Sequence, residues 1–227
     1  LSLILDEIVQ NSSLDDTFQV EKIRADFPLL VNAGDSLHYL DNAATSQKPK
    51  AVIDAISNCY SEHYGPVHRG LYPLAEEASQ RYESARTTLA KFINAPDDQL
   101  IFTRSTTESI NMVAQGWLRS RLSKGDQIWV TRMEHHANYL PWRALCNEND
   151  AKLKIIELRQ DGSLDLDSCI GLYDSTTKLI AVTHTSNVLG TINPVKEICA
   201  KAAEQGIAVM VDAAQSVGHI PVDVIDI

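Results

Sequence analysis

Four polar clusters in this sequence carry residue types that do chemistry, and each begins where an apolar run ends. The first is Arg104-Ser-Thr-Thr-Glu108. Hydroxyl residues opening a helix make an anion site, because free N–H groups and the helix dipole both favour negative charge. The same string, with Ser105 and Glu108 three apart, is also a capping box that needs no ligand. The second is Met133-Glu-His-His-Ala-Asn138. Adjacent histidines suit zinc, proton transfer or stacking on a ring, and they also occur as hydrogen-bonded loop residues. HExxH spacing and any further ligand cluster are absent, so no metal is expected. The third is His184-Thr-Ser-Asn-Val-Leu-Gly190, where Asn187 suits either an amide placed over a ligand or a plain turn. The fourth, Asp212-Ala-Ala-Gln-Ser216, is the most informative. A carboxylate ending a buried apolar strand is costly without a partner. A protonated ring nitrogen would be one such partner, and backbone N–H groups would be another.

The elements that must position these clusters alternate. Apolar runs at 99–103, 127–131, 153–158, 178–183 and 207–211 read as strands. Helices are expected over 106–122, 138–147 and 194–205, the last closed by Gly206. In the first of these, Ile110, Val113, Ala114, Trp117 and Leu118 recur at the spacing of one buried helical face. Upstream, short helices are expected over 20–26, 49–64 and 73–93, and a short strand over 37–40. The runs near 180 and 209 are almost wholly apolar, as in strands buried on both sides. The fold class is therefore α/β, a mostly parallel sheet with helices on both faces. Ligands in such sheets sit beyond the carboxyl ends of the strands, where all four clusters fall.

An anion site, a histidine pair, an amide and a carboxylate at one sheet edge suit pyridoxal 5'-phosphate. Its phosphate needs a helix start, its ring accepts a stacked imidazole, and its pyridinium nitrogen needs an aspartate. Nucleotide binding fits less well, since neither GxGxxG nor GxxxxGK[ST] occurs.

Composition narrows the class further. The 227 residues carry a net charge of −10, which argues against nucleic acid as a partner. At 44% apolar and 22% charged, the chain has enough apolar surface to fold. No apolar run approaches the roughly 20 residues of a membrane span, and no membrane partner is expected. Residues 1–21 hold five acids and no base, which reads as a solvated acidic N-terminal arm. Residues 22–72 then form an N-terminal segment, and 73–227 the cofactor-binding domain, incomplete at its C-terminal end. Cys59, Cys146, Cys169 and Cys199 have no CxxC spacing and read as reduced, buried or incidental thiols of a cytoplasmic protein.

The chain resembles the cysteine desulfurases of the SufS and CsdA type, the selenocysteine lyase-like branch of the class V aminotransferase family of fold-type I PLP enzymes. The resemblance runs from about Ile23 onward. It rests on Tyr39-Leu-Asp-Asn-Ala-Ala44, Val67-His-Arg-Gly70, Thr106-Thr-Glu108, the Glu-His-His-Ala-Asn and Thr-Ser-Asn-Val-Leu-Gly motifs, Val211-Asp-Ala-Ala-Gln215 and Pro221-Val-Asp223. It implies that Thr106 and Thr107 bind the cofactor phosphate. His135 would stack on the ring and assist proton transfer. Asp212 would pair with the ring nitrogen, and Gln215 would reach the ring hydroxyl. Asn187 would hold the substrate carboxylate or the ring oxygen side, and His68 would face the substrate pocket.

The implied reaction takes sulfur from L-cysteine, or selenium from L-selenocysteine, and leaves L-alanine. Sulfur would pass as a persulfide to a SufE-like acceptor for Fe–S cluster assembly, from a homodimer. One departure is large. The family's Schiff-base lysine follows a Ser-Gly-His-Lys motif that this sequence does not contain, and the last of its ten lysines is Lys201. The family's nucleophilic cysteine and carboxylate-binding arginine lie further on again. The resemblance thus implies the front half of an enzyme, inactive alone. The rival expectations are another class V enzyme, transaminase or kynureninase-like, and a non-catalytic remnant.

Overall fold

The computed structural model describes residues 19–167 and 173–227. Most of the acidic arm, and Cys169, lie outside the described residues. The chain divides into two compact units between Tyr82 and Glu83.

The first unit is helical. Helices α1 (Val20–Ala25), α2 (Pro28–Ala33) and α3 (Lys50–Glu62) precede α4 (Pro73–Phe92), along which the division falls. Pro28 takes the first helical turn, where its missing N–H costs nothing. The Arg24 guanidinium donates to the Gly34 carbonyl (2.8 Å), which ties the turn after α2 back to α1. Residues 37–40 form no strand, although their pattern reads as one. A strand exists only with a ladder partner, and Leu40 is instead exposed.

The second unit is built on a parallel sheet of β1 (Gln127–Thr131), β2 (Lys152–Ile156), β3 (Thr177–Thr183) and β4 (Ala208–Asp212), in the order β2-β1-β3-β4. Alternate side chains enter two different cores. Ile128, Val130, Leu179 and Ala181 pack with Ile110, Leu118, Trp142 and Leu145 of the helices on one face. Trp129, Ile180 and Val182 pack with Val195, Ile198 and Ala202 of α7 (Val195–Ala203) on the other. Each such fully buried aliphatic side chain contributes roughly 1.5–3 kcal/mol relative to exposure. Helices therefore cover both faces, as the apolar runs imply.

Two elements of this unit depart from the sequence pattern. Residues 99–103 form no strand among the described residues. Leu100 is extended and its carbonyl is held by Arg86, yet no ladder forms beside it. The helix expected over 106–122 is α-helical only at α5 (Thr106–Met112), then widens to a π segment (Val113–Leu118) and closes as a short 3-10 turn (Arg119–Arg121). Its buried residues Ile110, Ala114, Leu118 and Leu122 recur every four positions. That spacing is wider than the 3.6 of an α-helix, and i→i+5 bonding keeps them on the sheet side. Helix α6 (Leu140–Glu148) connects β1 to β2.

Candidate active site

The sheet order places its topological switch between β1 and β3. Ladder pairing of these two strands ends at Val130 and Ala181, whereas β3 and β4 stay paired to Thr183 and Asp212. A crevice therefore opens at the carboxyl ends of β1 and β3, the position where open α/β sheets bind ligands.

Beyond β1 the chain turns sharply. The Arg132 N–H donates to the Ile156 carbonyl of β2 (2.9 Å), and a short 3-10 turn (His136–Asn138) follows. His135 caps that turn, its Nδ1 accepting from the Ala137 N–H (3.1 Å). In a neutral imidazole with Nδ1 accepting, the proton sits on Nε2. The ring is thus oriented by its own backbone and remains exposed. An open cavity of about 390 Å³ lies over it, lined among others by Glu134, His135, His136, Ser186 and Asn187. Among the described residues no lysine lines it.

Asn187 reaches the cavity from the loop after β3. Ser186 is buried, and its hydroxyl accepts from the Val188 (3.3 Å) and Leu189 (3.1 Å) N–H groups, which bends the chain and leaves Asn187 exposed at the tip. Positive φ at Gly190 (72°) completes the turn. Two sequence-identified residues, His135 and Asn187, thus line one cavity.

Asp212 is buried at the end of β4. Its Oδ1 accepts from the Ala214 N–H (3.0 Å), and its carbonyl accepts from the His184 N–H (2.8 Å). A carboxylate has about four acceptor positions, so capacity for a cationic N–H donor is present. Gln215, half-buried, follows in the turn after β4. Thr106 and Thr107 begin α5, which packs against the His136–Asn138 turn. Their neighbour Ser105 accepts from the Glu108 N–H (3.2 Å), while Glu108 accepts from the Arg104 N–H (2.6 Å). The capping arrangement read from the sequence is present, shifted by one residue on the glutamate side. His68 belongs to the first unit. There it adopts a positive φ of 55°, its N–H donates to Ser79 Oγ (2.9 Å), and its ring meets Tyr82 edge-on.

The residue that sequence reasoning leaves without a role is Glu134. Its Oε1 accepts from Thr131 Oγ1 (2.5 Å) and the Thr183 N–H (2.7 Å), and its Oε2 accepts from Asn138 Nδ2 (2.6 Å). Asn138 is itself fixed, because its Oδ1 accepts from the buried Trp142 Nε1 (3.0 Å). The signal was present in the sequence. Glu134, Asn138 and Trp142 recur every four residues, and all three can hydrogen-bond.

Burial pushes the Glu134 carboxyl up from 4.5 to about 7, against the three hydrogen bonds, and the nearby Asp212 carboxylate adds to the rise. With the folded pKa above the unfolded one, folded protein holds the proton more tightly between pH 4.5 and 7. Stability from this group is therefore full below about 4.5 and falls as pH rises to about 7, by about 3 kcal/mol in all. Urea unfolding across that range is expected to show wild type losing this amount relative to Glu134→Gln. A difference that stays flat with pH would mean the carboxylate is not desolvated.

Among the described residues, no thiol lines this cavity. Burial pushes Cys146 up to about 11 and raises Cys199, so both stay protonated near neutrality. Cys59 is exposed on α3.

The aminotransferase class-V family profile matches residues 38–227, well over half of the chain. The chain belongs to the aminotransferase class-V family. Among class-V relatives, a cysteine desulfurase of Enterobacter sp. (strain 638) is 50% identical over 211 residues, covering 92% of this chain and 52% of the relative. The cysteine desulfurase CsdA from Escherichia coli superposes with a TM-score of 0.81 at 40% identity, over 92% of this chain and 52% of that one. An apo cysteine desulfurase from Thermococcus onnurineus NA1 gives 0.85 at 40% identity, over 92% and 51%. The chain spans about half the length of these class-V relatives. Their fold is the α/β fold of PLP-dependent transferases, and the four-stranded parallel sheet with its helices belongs to it.

Proposed function

We propose that this chain carries the cofactor platform of a PLP-dependent cysteine desulfurase. The observation that carries the reading is Asp212, a carboxylate buried at the end of β4 and tied through the backbone to the crevice that His135 and Asn187 line. The donor set fits the cofactor: a desolvated carboxylate for a ring N–H, an oriented imidazole, a side-chain amide, and hydroxyls at the start of α5. The desulfurase names of relatives near 50% identity favour this chemistry over a transaminase or kynureninase-like reaction.

Asp212 would hold the ring nitrogen protonated, and Gln215 would reach the ring hydroxyl. Thr106 and Thr107 would hold the phosphate. His135 would lie on the ring and carry a proton at Nε2. Asn187 would hold the ring oxygen side or the substrate carboxylate, and His68 would serve the substrate pocket. Bound there, pyridoxal phosphate supplies the electron sink that lets an amino acid lose its Cα proton.

The overall reaction converts L-cysteine and an enzyme thiol to L-alanine and an enzyme persulfide, with L-selenocysteine as the alternative substrate. The persulfide sulfur would go to a SufE-like acceptor for Fe–S cluster assembly. The whole protein would act as a cytoplasmic homodimer. Its N-terminal arm, its middle segment to residue 72 and its cofactor-binding domain from 73 onward would be the organisational parts. Among the described residues, no helix is long and apolar enough to cross a membrane.

Equilibrium dialysis of the 227-residue chain against pyridoxal phosphate tests the reading. Saturable binding that dialysis reverses, with no L-alanine formed from L-cysteine, is expected. Absence of saturable binding would overturn the platform. Formation of L-alanine would overturn the reading of this chain as a platform without its own Schiff-base lysine and nucleophilic thiol.

A further inference from the structure

The ends of β1 and β3 at this crevice are bridged by a side chain. Past Ala181 the ladder to β1 has ended, and the next inward N–H of β3, that of Thr183, donates to Glu134 Oε1 instead of to a strand carbonyl. The following N–H, that of His184, points to the other side and donates to the Asp212 carbonyl. Consecutive peptides at the end of β3 are thus gripped from opposite sides, by Glu134 and by Asp212. The same Glu134 carboxylate holds Thr131 at the end of β1 and Asn138 at the end of the histidine turn. His135, between Glu134 and Asn138, has its backbone spanned by this brace.

We propose that Glu134 is a positioning residue of the cofactor site: standing in for a missing strand residue, it fixes the His135 turn relative to the end of β4 that carries Asp212. The inference rests on the cofactor-platform reading above and deepens it. Glu134 contacts strand ends and the turn, and it acts on the cofactor only through His135 and Asp212. The charged groups around it are few. Asp212 faces it from β4, and Arg132, on its own loop, is engaged by Glu157. From β3 it meets a backbone N–H rather than a charge.

The hydrogen-bond pattern suggests a rescue. In Glu134→Gln the introduced amide would face the Asn138 amide, donor against donor. Adding Asn138→Asp restores an acceptor for the introduced amide and still accepts from Trp142 Nε1, so the brace is rebuilt with its charge moved. The probe is 4'-deoxypyridoxine 5'-phosphate, which lacks the aldehyde and needs no lysine. Binding to the full chain is read by calorimetry, and the His135 ring by its NMR shifts in the unliganded chain.

E134Q is expected to weaken binding about tenfold and to shift the His135 resonances. The double variant is expected to return both to near wild type, within about threefold for binding. If E134Q binds as wild type does, or the double variant stays as weak as E134Q, the inference is overturned while the cofactor reading stands. If wild type itself does not bind the probe, the cofactor reading falls and the inference with it. Should E134Q fail to fold, the double variant decides by the same threefold criterion.

Discussion

Asp212→Asn is expected to lower the affinity of the chain for pyridoxal phosphate about a hundredfold, because it removes one partner of a buried charge pair. The substitution isolates charge from shape. An asparagine oxygen can still accept from the Ala214 N–H, and the backbone bond from His184 to the Asp212 carbonyl does not involve the side chain. Folding should be unharmed. Indeed, Glu134 loses the neighbouring carboxylate that raises it, so its pKa should fall in the variant. Calorimetric titration with the cofactor, together with a carboxyl NMR titration of Glu134, reads both effects. Affinity within about threefold of wild type would mean that Asp212 is a structural turn residue, satisfied by the backbone, and that the ring nitrogen finds no partner there.

Trp142→Ala is expected to destabilise the second unit by about 3–5 kcal/mol, the range for deleting a buried large aromatic. Trp142 is fully buried beside Leu145, Ile110 and Val130, on the face of the sheet covered by α5 and α6. Its loss also leaves Asn138 Oδ1 without its indole donor, and Asn138 is what holds the outer oxygen of Glu134. Trp142→Phe separates the two contributions. It keeps most of the packing and gives up the hydrogen bond, so a smaller cost of about 1–3 kcal/mol is expected. Urea denaturation of the three proteins measures the series. Equal losses in Ala and Phe would place the whole effect in the hydrogen bond. A harmless Phe would place it in packing.

The parallel core was legible because burial on both faces leaves a mark that survives without coordinates. The runs that became β3 and β4 are almost wholly apolar, and their alternate residues serve the two cores that the structure contains. A helix start was legible for a similar reason. Ser105 caps α5 as its spacing to Glu108 implies, whereas α2 begins at Pro28, where the sequence pattern marks no helix. The chemistry-bearing strings were visible as polar residues placed directly after apolar runs, and His135 and Asn187 do line one cavity.

Less local properties were not legible. Residues 37–40 and 99–103 have strand-like composition, but pairing is a relation between segments and neither finds a ladder among the described residues. The helix after Thr106 widens because its buried positions must meet the sheet every four residues, a demand set by what it packs against.

The sequence by itself determined the α/β class, the buried strands and the residue types at the strand ends, since these follow from hydrophobic periodicity and turn chemistry along the chain. Tertiary structure alone decided that Glu134 bridges the strand ends at the crevice. That role requires Thr131, Asn138 and Thr183 to converge on one carboxylate, and Thr183 lies 49 residues away in sequence, on the neighbouring strand. Burial then raises the pKa of that carboxyl, and burial is a property of the packed molecule rather than of the residue.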